Sequence, residues 1–482
     1  MNYWSICLAF SFFLFTSFSE LISQDTVCLQ GNEFDKIAES KSTDFYFLEN
    51  NFGLVLGKKK SKIPYKFIFF DSSLNASTQY DFPFEPQSFV ESLVVNEQPH
   101  LFFSRTNAEG KQELIVQKID SKGKFLPHFT LTSFNNLGGY KVNYKIAVSE
   151  DSKKIVLLVE HPFQKQSHEK ITLILFDEQL QLIKIVDKTL DVLCRHKRTN
   201  LPIISNNGSV YILKKYFNKK SQYYIFHLNE NEVEQAKISL RTRDVVSLRY
   251  LVNENGVLNV FGFFKSPIVL NYEGFFSMRY DNSIQPDFRK EFFLPSSIVG
   301  KFKSKKEIKN RGFGLDDFKI KRLLTDSSGN FFLIASHHSR FQIKEGVENY
   351  RKGLVVFKFS KAGNYIWSSP FLYNQHELSN RAGLWGSFIS YIDNNELNII
   401  YNSVNYKSKK TEEFQHNSFL STNSVSFDDE GRSSTKQFSS IYNFKGEKMG
   451  FVPSLISKNE NELYLMLENE NKTKGRLIKL VL

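Results

Sequence analysis

The chain is poor in the residues that staple, kink or loosen a fold. Three cysteines among 482 residues are too few for a disulfide framework. Cys7 lies inside the first apolar run, which leaves Cys28 and Cys194. Those two pair if the fold brings them together, or both are buried as small apolar residues. Twelve prolines and 24 glycines exclude a collagen-like or long low-complexity region. Beyond the N-terminus no run approaches the ~20 apolar residues of a spanning helix. The run Ile6–Phe18 is itself short for a span and suits the apolar region of a signal peptide, with Ser17, Ser19 and Ser23 as small residues near a cleavage point. No Lys or Arg precedes it, so an N-terminal anchor is the alternative. Residues 1–23 are therefore read as a signal peptide. Residues 24–482 are read as one exported domain of the periplasm, cell surface or extracellular space.

Motifs of known chemistry are missing as well. There is no GxSxG, HExxH, CxxC, phosphate-binding loop or GxGxxG followed by an acid. His161 and His168 have no metal-ligand spacing, and the adjacent acids Asp316–Asp317 and Asp428–Asp429 read as solvated charge. A glycosidase would need two carboxyl groups about 5–9.5 Å apart across a cleft. No catalytic residue, metal or cofactor is expected from these patterns.

Base and aromatic content are what the chain has in plenty. It carries 63 Lys and Arg against 51 Asp and Glu, a formal charge of +12. The bases are spread along the chain together with abundant Asn and Ile, as in an AT-rich coding sequence, which argues against nucleic acid as a partner. The 48 phenylalanines and 21 tyrosines favour half-buried pleated surfaces.

A repeating pattern organises them. "YKIAVSEDSKKIVLLVEHP" (Tyr144–Pro162), "LRYLVNENGVLNVFGFF" (Leu248–Phe264) and "SFISYIDNNELNIIYNSV" (Ser387–Val404) are each two apolar runs around a polar turn. A second hairpin follows each first one, with an apolar strand and then a more polar one, as in "ITLILFDEQLQLIKIVDKTL" from Ile171. Two hairpins make a four-stranded unit, and units fall near 43–82, 87–131, 144–190, 200–240, 247–291, 320–371, 386–440 and 451–482. Four strands per repeat predict an all-β fold, an eight-bladed β-propeller, with seven blades as the alternative. The last unit has three convincing strands, and its fourth is sought at "TVCLQ" near Cys28. In "LLTDSSGNFFLIASHH" (Leu323–His338) the polar centre is then a hairpin turn. Asp326 and Ser328 would bond backbone N–H groups there and Gly329 supply a positive φ. One Asp and two serines are too few for calcium, and His337 and His338 point to opposite faces of a strand.

One insertion interrupts the pattern, at about 294–317. Ser296 or Ser297 would cap a helix and Gly312 end it. Ile298, Val299 and Phe302 form an apolar edge able to dock on the ring. Lys301, Lys303, Lys305, Lys306, Lys309 and Arg311 would face outward and form the candidate partner contact; the plainer reading is a solvated helix that caps one end of the ring.

This basic segment leading into "FKIKRLLTDSSGNFFLIAS" (Phe318–Ser336) resembles a group of exported proteins from Gram-negative bacteria of the Bacteroidetes type. In that group a charged helix precedes an apolar strand, an Asp-Gly-Gly-type turn and a strand ending near Ala-Glu. Here the turn is Asp-Ser-Ser-Gly and His337 follows Ala-Ser. The likeness spans about 45 residues. It implies export and a propeller-like fold, and no activity. The expected function is a non-enzymatic binding or scaffold protein of the cell envelope. Its partner would be an envelope protein or an anionic glycan or lipid surface. A carbohydrate-active or other hydrolase with a site in the propeller channel is the alternative.

Overall fold

The computed structural model describes residues 28–481, apart from 31, 33, 36–40, 49–50, 58–64, 96–97, 195–198, 219, 229–232, 282–283, 344–345, 379–386, 406–418, 439–442, 445–446, 460–461 and 470–473. Eight antiparallel sheets follow one another along it. Blades 1 to 7 span residues 41–81, 88–135, 143–193, 199–238, 244–293, 318–378 and 388–438, and blade 8 takes 443–481. Within blades 1 to 7 the strands lie side by side in chain order. Blade 6 adds a short strand, Ser339–Ile343, that pairs with the extended start of its third main strand. The first strands of successive blades touch, and Lys41–Leu48 of blade 1 touches Glu447–Asn459 of blade 8, which closes the ring. This is an eight-bladed β-propeller, and the seven-blade alternative falls. The last blade is completed by Cys28–Gln30, which pairs antiparallel with Lys474–Val481, Cys28 facing Leu480. The sequence placed the missing strand there.

Burial explains the two hairpin types. Second strands are covered on both faces, so they read as near-continuous apolar runs. Leu258–Lys265 and Phe331–His337 are buried almost throughout. Fourth strands such as Pro286–Phe293 lie at the rim and are largely exposed or half-buried. First strands are mixed, because one edge of each faces the open axis. The core is consequently a set of slabs between blades. The largest aromatic slab, between blades 5 and 6, holds Phe261, Phe263, Phe275, Phe357 and Phe359. Phe275 and Phe357 have ring centres 4.5 Å apart. Each such side chain contributes roughly 1.5–3 kcal/mol by leaving water.

The turn within Leu323–His338 is structural, as expected. Asp326 Oδ1 accepts from Asn330 N at 2.8 Å, Gly329 N donates to Asp326 O at 3.0 Å, and Gly329 has φ +82°. Asp71, Asn107, Asp120, Asp177, Asn253 and Asp428 do the same for the residue four positions on. One short polar side chain thus satisfies the turn's amide while the fourth residue takes a left-handed conformation. Ser327, rather than Ser328, makes the further bond, from its Oγ to Asn395 Oδ1 of blade 7 at 2.5 Å.

Candidate functional site

Chain direction puts the links between blades on one face of the ring, together with the loops joining second to third strands. The insertion between blades 5 and 6 lies on that face. It forms two helices where the sequence predicted one: α1 is Ser296–Phe302 and α2 is Lys305–Arg311. The first starts at Pro295 with no side-chain cap, so neither Ser296 nor Ser297 has the expected role. The second starts at Ser304, whose Oγ accepts from Glu307 N at 3.2 Å while Ser304 N donates to Glu307 Oε2 at 2.8 Å. Donation to its Oε2 from Ser304 N, and from Ser304 Oγ at 2.9 Å, holds the Glu307 carboxyl below the usual range. Such a reciprocal box satisfies two amides that a continuous helix would pair internally, and so favours a new start at this point. Gly312 ends α2, as the sequence indicated, with φ +82°.

The insertion is fixed to the ring at both ends. Ile298 and Val299 are buried in the slab between blades 5 and 6, and Phe302 packs edge-on against Phe318 at 4.9 Å. Gly353 lies beneath this contact, where a Cβ would meet Phe371 O at 2.2 Å first and the Phe302 ring at 3.2 Å. Buried Asn271 of blade 5 donates to the carbonyls of Arg311 at 2.6 Å and Gly312 at 3.0 Å. Tyr272 and Leu315 exchange backbone bonds at 2.7 and 3.0 Å.

Of the six bases expected to face outward, Lys301, Lys305, Lys306, Lys309 and Arg311 do so. Lys303 does not. It is 5% exposed, in extended backbone between the helices, with Nζ 3.2 Å from Asp316 Oδ2. The residue that breaks the helix is the one that turns inward to meet a carboxylate, so Asp316 is an ion-pair partner rather than free surface charge. Likewise Asp428 holds its turn and Asp429 pairs with Lys358 at 2.7 Å across blades 6 and 7. His337 and His338 diverge as expected: one ring faces Ser339 Oγ, the other Asn349 Oδ1, each at 3.1 Å. Burial lowers both imidazoles, His338 to about 4. His161 contacts Thr172 Oγ1 at 2.7 Å, away from exposed His168. Cys194 is a buried free thiol.

Two charged groups escaped the sequence reading. The first lies between blades 3 and 4. Lys214 Nζ is 2.5 Å from Glu169 Oε2 and donates to Asn200 Oδ1 at 3.0 Å. Asn200 Nδ2 reaches Glu160 at 2.7 Å and Glu169 at 2.5 Å, and Lys145 closes the set on Glu160 at 3.0 Å. Glu160, Glu169, Asn200 and Lys214 are all 2% exposed or less. Two lysines balance two carboxylates, and the set is internally satisfied.

The second lines the axis at blades 5 and 6. The ladder of the first strand of blade 6 skips Lys321, pairing Ile320 with Ala335 and Arg322 with Ile334. Such a bulge re-aims the skipped side chain. Burial is the main cause that lowers the Lys321 ammonium to about 8, helped by Arg351, Lys319, Arg249 and Arg322. Arg249 is open to solvent by area, yet desolvation still lowers its guanidinium, as expected for a group inside an enclosed channel. Among the described residues Lys319, Lys321, Arg322 and Arg249 form no ion pair with a carboxylate. The one available signal was local: "FKIKRLL" sets three bases in a strand where the first strands of blades 1 to 5 and 7 carry at most one each.

No family model matches the chain, and no curated protein matches it in sequence. Solved structures are similar in outline. The WD40 domain of SCAP from fission yeast aligns over 95% of this chain and 97% of that one, at 7% identity and a TM-score of 0.43. The β-propeller domain of the Trilobed protease from Pyrococcus furiosus aligns over 70% and 97%, at 11% identity and TM-score 0.35. A Bacteroides caccae protein of unknown function aligns over 66% and 93%, at 12% identity and TM-score 0.31. The propeller assignment here rests on the sheet order and ring closure of the chain itself. The resemblance to exported Bacteroidetes-type proteins rests on the motif alone.

Proposed function

We propose that the chain is an exported, non-enzymatic binding or scaffold protein of the cell envelope, and that it meets an anionic partner through the α1–α2 insertion. One observation carries this. The insertion is clamped to the ring by buried side chains and by Asn271, yet it leaves Lys301, Lys305, Lys306, Lys309 and Arg311 exposed. A structured insertion that presents one sign of charge suits recognition. Export is supported by the apolar run Ile6–Phe18, which lies outside the described residues. The hydrolase alternative draws less support from the axis. In blades 2 to 7 the carboxylates on first strands are Glu91, Asp244 and Asp393. Asp244 opens its strand and Asp393 closes its own, so these two stand at opposite mouths.

The test replaces Lys305, Lys306 and Lys309 by Gln and spares Lys303. Salt-sensitive binding to envelope fractions should weaken while the melting temperature holds. Unaltered binding with lowered stability would make the insertion a structural cap.

A further inference from the structure

The loop joining the second and third strands of blade 5, residues 266–273, projects two aliphatic side chains from the same face. Ile268 is 92% exposed and Leu270 is 85% exposed, the two highest values among the exposed large hydrophobics of the described chain. Their backbone is held in place. Ser266 N donates to Glu273 Oε2 at 2.9 Å, and Val269 N donates to Ser266 O at 3.3 Å. Asn271, one residue beyond Leu270, is buried and bonded to the last turn of α2. The apolar tip is therefore tied to the C-terminal end of the basic helix. Phe313, 43% exposed, follows immediately. Glu307 is the one acid of α2, and Ser304 engages it.

Scattered exposed apolar residues are ordinary. Two nearly naked aliphatics on one fixed tip, beside four bases, are a different composition. They match a surface whose apolar part enters the acyl boundary while its cations meet headgroups. An acidic protein patch or a soluble glycan would satisfy the bases and leave Ile268 and Leu270 in water. We propose that this face docks on an anionic lipid bilayer, with Ile268 and Leu270 inserted and Lys305, Lys306, Lys309 and Arg311 against the headgroups. This rests on the binding role assigned to the insertion above and names the partner as lipid.

Vesicle flotation tests it, with purified protein and vesicles of phosphatidylcholine alone or mixed with phosphatidylglycerol. The protein should float with the anionic vesicles, less so as salt rises. Ile268→Ser/Leu270→Ser and Ile268→Asp/Leu270→Asp should each reduce partitioning on the order of tenfold or more. Both sites are exposed, so melting temperatures should hold, and the serine variant remains informative if aspartate perturbs the loop. Absence of flotation, or a serine variant that floats like the parent, overturns the proposal. If flotation fails while lysine-dependent binding to delipidated envelope protein or glycan persists, the lipid assignment falls and the binding role stands. If both fail, both fall.

Discussion

The boundary between blades 3 and 4 and the boundary between blades 5 and 6 handle charge in opposite ways. The first buries Lys214 with two glutamates, adds half-buried Lys145 at its margin, and links all four through Asn200. The second fills its interior with phenylalanine and, among the described residues, leaves Lys319, Lys321, Arg322 and Arg249 along the axis without an ion pair to a carboxylate. The difference is one of depth. A charge sealed between sheets has no water to lean on and must carry its own counter-charge. A charge on an inner strand can be solvated through the channel, so it is tolerated at the cost of a lowered pKa. Charge can thus serve as a lock between one pair of blades and as a surface between another.

Breaking the lock should have the largest effect. Glu169→Leu leaves Lys214 buried without its counter-charge and should cost about 3–5 kcal/mol in urea unfolding. Adding Lys214→Met should recover most of that loss. A single variant that costs under about 1 kcal/mol would show the pair to be poorly coupled. The apolar boundary should respond less to a single cut. Ile298→Ala, in the slab under the insertion, should cost about 2 kcal/mol and speed proteolysis within 303–311 before the ring unfolds. Parallel loss of both signals would mean that insertion and ring unfold together.

Smaller still is the turn of blade 6. Gly329→Ala forces a side chain into φ +82° with its Cβ 3.1 Å from Lys361, and should cost about 1 kcal/mol by thermal melting. The last test concerns the axis and is a matter of pH. Lys321 has a folded-state pKa near 8, below the 10.5 of a free lysine, mainly through burial and further through Arg351, Lys319, Arg249 and Arg322. Below pH 8 it is charged in both states, and its destabilising effect is fully present. Between 8 and 10.5 the unfolded chain binds the extra proton, so stability should rise with pH through that window. Subtracting the same curve for Lys321→Met removes the tyrosine titrations. A flat difference between pH 8 and 10.5 would show that Lys321 is not desolvated.

The architecture was legible because blades repeat a physical situation. Each second strand is covered on both sides and must be apolar, and each turn needs a short polar residue and a left-handed position. Tyr144–Pro162 and Leu248–Phe264 therefore look alike with little identity between them. The insertion was legible in place but not in shape. Lys303 reads as one more exposed base until Asp316 stands beside it in space. The lock was hidden for the same reason. Glu169 and Lys214 are 45 positions apart, and a lysine in "YILKKYF" gives no local sign of a partner. Ile268 and Leu270 mislead in the other direction: "SPIVLNY" has the composition of a buried strand, and the ties of Ser266, Asn271 and Tyr272 to Glu273, α2 and Leu315 hold it outside.

The pairing of Cys28–Gln30 with Lys474–Val481 has a temporal meaning as well. Blades 2 to 7 each draw on one continuous stretch of chain, so each can form soon after its own residues are available. Blade 8 cannot. Its outer strand is among the first described residues to be made and its neighbour among the last, which gives this sheet the longest loop closure in the molecule. Until that closure the ring is an open arc, with the facing sides of blades 1 and 8 unmatched and the edge of Lys474–Val481 able to pair with another chain. Completion of the fold is therefore set by the final strand, and a chain stalled before Lys474 would hold most of its blades and still lack a ring.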